Sequence, residues 1–161
     1  MSSRNKADSH KKKPSRKAAV ETAADRLLKE TMAILNREKV FPKRSRWMFA
    51  YTIADIVNRY HTMVSYANGI TVTNHGLFAE RYIAQTLAIA WIYALNVKMT
   101  AAQICCDAPV DAFDYWANLW ADAEKLTKAW RAGDKNRYEE QFGSLTADEL
   151  REASAVYRAG L

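Results

Sequence analysis

A chain of 161 residues, 49% of them hydrophobic and with only five glycines and three prolines, is long enough to bury one core and too poor in turn residues to be built from strands. Its formal charge of +6 is concentrated at one end. Residues 1–17 hold seven basic side chains against Asp8 alone, whereas the rest of the chain holds 17 basic and 17 acidic groups, so the high isoelectric point is no evidence that the folded part binds nucleic acid.

The opening MSSRNKADSHKKKPSRKAA has no apolar run, which excludes a secretory signal, and its polarity predicts a disordered basic tail over residues 1–18. Lys11, Lys12 and Lys13 are candidate phosphate contacts there, because a mobile basic arm needs no fixed geometry to meet a polyanion; a solubilising tail is the plainer reading. Val20, Ala24, Leu27, Leu28, Met32 and Leu35 recur at three- and four-residue steps and predict a first helix over 19–37. Pro42 in the connection REKVFPK blocks its continuation.

A second helix is predicted over 44–68, with Trp47, Ala50, Ala54, Val57, His61 and Val64 as its core stripe and Met48, Tyr51 and Tyr60 beside it. Asn68-Gly69 suits a left-handed C-cap, and Thr73 or Asn74 caps the next helix. That third helix, over 75–97, shows Phe78, Arg81, Gln85, Ala88, Trp91 and Leu95 on one face. Its most apolar part, residues 82–97, is shorter than the ~20 residues of a bilayer span and reads as a core helix, with no membrane role.

Thr100–Gln103 resembles a capping box opening a short turn through Cys106. Cys105 and Cys106 are adjacent, point about 100° apart on a helix, and read as small buried apolar residues in a reducing cytoplasm. A fourth helix over 109–132 carries Phe113, Trp116, Trp120, Ala123, Thr127 and Trp130, with Gly133 as its stop and a further turn over DKNRYEEQF. Thr146–Glu149 is a second capping box, for a fifth helix over 147–158 with Leu150, Ala153, Val156 and Tyr157 as a thin apolar face. Helices two to four match in length at roughly 35 Å, which predicts an all-α, up-down four-helix bundle over 19–132 and a short C-terminal helical extension over 133–161.

The chemistry-bearing residues are sparse. There is no H-x-x-x-H, C-x-x-C or E-x-x-H spacing, no Gly-rich phosphate loop and no G-x-S-x-G, so the expectation is a protein that is not an enzyme, with no catalytic residues, metal or cofactor. Asp107, Asp111 and Asp114 complement the dipole of the fourth helix, and His61 reads as a polar core or interface residue. Trp130, flanked by Lys128 and Arg131, reads as core, with base stacking the alternative. The five tryptophans and eight tyrosines exceed what one small bundle buries, leaving apolar surface for self-association.

The candidate nucleic-acid site is the corner between the first two helices. Arg37, Lys39, Lys43, Arg44 and Arg46 put five cations in ten residues against Glu38 alone. At the start of a helix such cations oppose the dipole, while the free amides of that end favour an anion, so the local arrangement suits an external phosphate; a solvated basic loop is the alternative.

The residues Phe41, Pro42, Lys43, Arg44 and Arg46, the apolar run behind them and the Trp120–Trp130 part of the fourth helix give residues 20–132 a pattern similar to the small S23 ribosomal-intervening-sequence bundles. Among these it most resembles the accessory variability determinant proteins of diversity-generating retroelements. The resemblance implies a non-enzymatic homo-oligomer, commonly a pentamer, that partners a reverse transcriptase and structured RNA, with Lys43, Arg44 and Arg46 as nucleic-acid contacts. The long basic tail, the segment after residue 133 and the charge-balanced body depart from that pattern, and shift the expected RNA contacts toward the tail and the 37–46 corner. An oligomeric protein-interaction bundle without nucleic acid is the competing reading.

Overall fold

The three- and four-residue apolar spacing resolves into five helices in a computed structural model, which describes residues 16–106 and 109–158 without the side chains of Arg16, Arg44, Ser45 and Arg158. These are α1 (Arg16–Leu35), α2 (Lys43–Gly69), α3 (His75–Cys106), α4 (Val110–Phe142) and α5 (Ala147–Arg158), with no strand among the described residues. Most of the tail expected over 1–18, including Lys11, Lys12 and Lys13, lies outside them, as does Asp107.

Two helices outrun their expected ends. Thr100 opens no new turn: its Oγ1 donates to the Asn96 carbonyl at 3.0 Å, and Met99, Ala102 and Cys106 carry the buried face of α3 onward. Gly133 does not stop α4 either. A glycine inside a helix costs about 1 kcal/mol, but Trp130 and Asp134, one turn apart on either side of it, are both buried and hold the helix through that point. The left-handed residue lies further on, at Gly143, with φ 92°. α2 ends at Gly69 as expected but without a left-handed cap, since Ile70 follows with extended dihedrals, φ −69° and ψ 116°. Asn74 Oδ1 accepts the Leu77 N–H at 3.0 Å and caps α3. The Thr146–Glu149 box closes in both directions, at 2.9 Å and 3.3 Å, and starts α5.

α1 packs on α2 and α4, and α3 packs on α2, α4 and α5. Cross-helix contacts fix the directions. Glu21 meets Asn68 and Asp25 meets His61, so α1 and α2 are antiparallel. Arg59 lies over Trp91 and Tyr66 bonds Glu80, so α2 and α3 are antiparallel. Arg81 meets Asp134 and Trp120 Nε1 donates to the Ile92 carbonyl, so α3 and α4 are antiparallel as well.

The core runs between the four long helices, through Leu27, Ile34, Ile53, Tyr60, Ile92 and Trp116 among others. Two polar pairs cross it. Trp116 Nε1–H donates to Thr31 Oγ1 at 2.8 Å, and Tyr60 and Thr127 share a bond of 2.9 Å, with Thr127 Oγ1 donating onward to the Ala123 carbonyl. Burial pushes the Tyr60 phenol up to about 12, because the charged form would lose its water. Among the described residues α3 is the one helix long and apolar enough to cross a membrane by length and composition; Phe78, Ala84, Ala88, Ile92 and Leu95 on it are buried within the protein.

Candidate nucleic-acid interface

The α1–α2 corner is held by two buried residues rather than by its charges. Val40 and Phe41 are buried, and Phe41 sets its ring edge-on to Trp116 at 6.2 Å between centroids. Their amides both donate to the Arg37 carbonyl, at 3.0 and 2.9 Å, which folds the connection into a tight turn. Anchoring 40 and 41 inward turns Arg37, Glu38 and Lys39 out to solvent. Pro42, with φ −55°, then leads into α2, whose first turn has no acid and no side-chain cap.

The five cations of the corner do not behave alike. Arg37, Lys39 and Lys43 are exposed. Lys43 Nζ stands 3.8 Å from Glu38 Oε1 with both groups in solvent, a pairing of at most about 1 kcal/mol that an incoming phosphate can outcompete. Arg46 is half-buried and turns inward, its Nη2 donating to the carbonyls of Phe41 at 3.3 Å and Asn36 at 3.5 Å, where it ties down the end of α1. The side chain of Arg44 lies outside the described residues.

Of the α2 stripe expected from sequence, Val57 and Val64 are buried and Ala50 and Ala54 pack against the core, but its first residue, Trp47, turns outward and with Tyr51 makes the most exposed pair of aromatics among the described residues. Ile53, Ile56, Val57, Tyr60, Val64 and Ala67 face the core, which carries Arg46 to the inner side and leaves Trp47 76% and Tyr51 83% exposed. Lys43, Trp47 and Tyr51 stand four residues apart, one above another on the outer face of α2. The antiparallel register with α3 sets them level with Val97 and Ile104, which are also exposed. The result is a face of two open aromatic rings with cations at its margin, which can hold unpaired bases by stacking and phosphates by charge.

The remaining predicted residues separate from this corner. Lys11, Lys12 and Lys13 precede α1, whose 20 residues span about 30 Å, so the tail joins the body at the end of α1 away from the corner. His61 Nε2 is 2.7 Å from Asp25 Oδ1 at the α1–α2 seam, an interface role. Cys106 is buried, but Cys105 is exposed, which corrects the reading of both as buried; neighbouring helical residues point about 100° apart, and of the two only Cys106 is turned inward. Trp130 is buried beneath the Arg81 guanidinium, 5.2 Å from its ring centroid, and is core. Asp111 and Asp114 are exposed in the first turns of α4. Among the described residues no three His, Cys, Asp or Glu side chains converge on a possible metal position.

One buried polar cluster is not apparent from the sequence. Arg81 and Asp134, 5% and 4% exposed, form an ion pair at 2.7 Å, and Gln85 Nε2 donates to the same carboxylate oxygen at 2.9 Å. Arg81 and Gln85 stand one turn apart on an apolar face, which is itself the signal, since such groups need an internal partner. Their partner lies beyond Gly133, where the sequence predicts the helix to have stopped.

Compared with family models, curated proteins and solved structures, the chain finds no match, so its likeness to the retroelement accessory proteins rests on the residues quoted above.

Proposed function

We propose that this chain is a non-enzymatic RNA-binding accessory protein, and that its four long antiparallel helices make an up-down bundle that presents the α1–α2 corner to RNA. The observation that carries the reading is the line of Lys43, Trp47 and Tyr51 on the outer face of α2, beside exposed Arg37 and Lys39. Phosphates held by the three cations bring unpaired bases to the two open rings, where stacking contributes about 1–3 kcal/mol per base. The basic tail adds a second electrostatic attraction from the far end of α1. The likeness to accessory variability determinant proteins supplies the partner in this reading, a reverse transcriptase copying structured RNA in a retroelement, and the assembly, a homo-oligomeric ring such as a pentamer. A cytoplasmic protein with α3 as a core helix fits the same reading.

Fluorescence anisotropy with single-stranded RNA tests it across a salt series. Binding at low salt should fall with salt by a slope of about −0.7 per phosphate neutralised, and should weaken when Trp47 and Tyr51 are both replaced by alanine. Failure of the intact protein to bind at low salt would sink the proposal.

Exposed Val97 and Ile104 on α3 favour a second reading, a helical interaction protein that self-associates there without nucleic acid. Under it, light scattering shows an oligomer that Ile104→Asp dissociates and that deletion of residues 1–15 leaves unchanged.

A further inference from the structure

A cleft of about 530 Å³ opens at the end of the helices opposite the basic corner, with Lys17 from α1, Arg81 from α3, and Trp130, Arg137 and Tyr138 from α4 among its lining. Its charge is unbalanced. Among the described residues of the wall Asp134 is the one carboxylate, and it is already committed: Arg81 Nε and Nη2 reach its Oδ2 at 2.8 and 2.7 Å, and Gln85 reaches the same atom at 2.9 Å. Arg81 Nη1 is bonded to the Ile70 carbonyl at 2.8 Å, which leaves two of its five N–H groups over. Arg137 stands 3.8 Å from Asp134 Oδ1 with its side chain largely in solvent, and Lys17 is exposed. Three cations thus line the cleft against one carboxylate, whose Oδ2 is already taken by Arg81 and Gln85.

A second observation is independent of charge. Trp130 is 2% exposed, and its Nε1–H is buried with no acceptor. Trp130 also lines the cleft, and buried donors nearly always have a partner, so its vacant N–H is open to an acceptor supplied from outside the chain. The volume falls within the range of small-ligand sites, and Ile70, Val72 and the Tyr138 ring supply apolar wall for the rest of such a ligand.

We infer that this cleft binds a phosphomonoester of mononucleotide size, with Lys17, Arg81 and Arg137 around the phosphate and its oxygens within reach of the Trp130 indole N–H. A free nucleotide and the 5′ end of an RNA strand present the same group. The site is separate from the α1–α2 corner and stands or falls without it.

The test uses the full chain labelled with ¹⁵N, following the Trp130 indole resonance, identified by its loss in Trp130→Phe. Titration with AMP should move that resonance saturably, and Lys17→Ala with Arg137→Ala, both exposed positions, should weaken the titration by roughly tenfold or more while circular dichroism stays unchanged. A 5′-phosphorylated oligonucleotide that moves the resonance where its 5′-hydroxyl twin does not identifies a strand end as a ligand; AMP acting alone identifies the free nucleotide. A Trp130 resonance that stays still at millimolar AMP and with the phosphorylated oligonucleotide, or that shifts equally in the double variant, overturns the inference.

Discussion

Arg81 of α3 and Asp134 of α4 meet inside the protein with two guanidinium nitrogens on one carboxylate oxygen, at 2.8 and 2.7 Å, beneath a surface that leaves each about 5% exposed or less. The pair joins the two longest helices at the end where α4 passes through Gly133. Removing one partner leaves a buried charge without a counter-ion. Asp134→Ala is therefore expected to cost about 3–5 kcal/mol in urea denaturation, and Arg81→Met combined with Asp134→Leu to recover most of that loss. A single variant within about 1 kcal/mol of the parent would show that α3 and α4 do not depend on the pair here.

Trp47 and Tyr51 are exposed enough that replacing them changes little inside the protein. Trp47→Ala and Tyr51→Ala should each leave stability within about 0.5 kcal/mol, yet each should weaken single-stranded RNA binding by a factor on the order of ten. Stacking is not electrostatic, so the salt slope should stay the same in these variants. Lys39→Ala with Lys43→Ala should do the reverse, lowering the slope by about 0.7 for each phosphate that is no longer neutralised. Equal slopes in both sets of variants would remove the division of labour between rings and cations.

Arg46 is predicted to be a structural residue among its basic neighbours. Its bonds to the Asn36 and Phe41 carbonyls secure the turn, while its Nε is buried without an acceptor. Arg46→Ala should cost roughly 1–2 kcal/mol, against nearly nothing for Lys39→Ala. Arg46→Met, which keeps the stem and removes the unpaired Nε, should cost less than Arg46→Ala. Chemical denaturation of the three variants side by side decides it; a methionine variant less stable than the alanine one contradicts the assignment.

The all-helical class and the fifth helix are legible in the sequence because each rests on a local signal: apolar spacing, a proline, a capping box. The Thr146–Glu149 box and Asn74 do what their chemistry allows. The features that sequence reasoning misses depend on distant partners. Gly133 reads as a stop only until Asp134 is known to meet Arg81, and Thr100 reads as a cap only until α3 is seen to keep a buried face beyond it. The start of the α2 stripe is misplaced for a related reason, although Val57 and Val64 further along it are buried as expected. Trp47 and Tyr51 are large and apolar and so attract a core assignment, while Ile53 and Ile56, on a face turned slightly away, take the core. The corner's cations are visible in sequence, but the inward turn of Arg46 follows from that stripe and cannot be read before it.

Tyr60 and Thr127 give the core an alkaline limit. An unfolded tyrosine ionises near 10, and burial raises Tyr60 to about 12, so the folded protein holds that proton more tightly than the unfolded chain. The stability this contributes is fully present below pH 10 and is lost as pH climbs from 10 toward 12, amounting to about 2–3 kcal/mol. Tyr66 and Tyr157 are raised too, the first mainly by its bond to Glu80 and the second mainly by burial, and they act in the same direction. The informative quantity is therefore the difference between the parent and Tyr60→Phe. At pH 8 the variant should be less stable by about 1 kcal/mol, because it lacks the bond to Thr127. By pH 11 the parent should have given up that advantage, because it alone must keep a buried phenol protonated. Thermal melts that keep the same gap between the two proteins from pH 8 to pH 11 would show that the Tyr60 hydroxyl titrates as freely folded as unfolded.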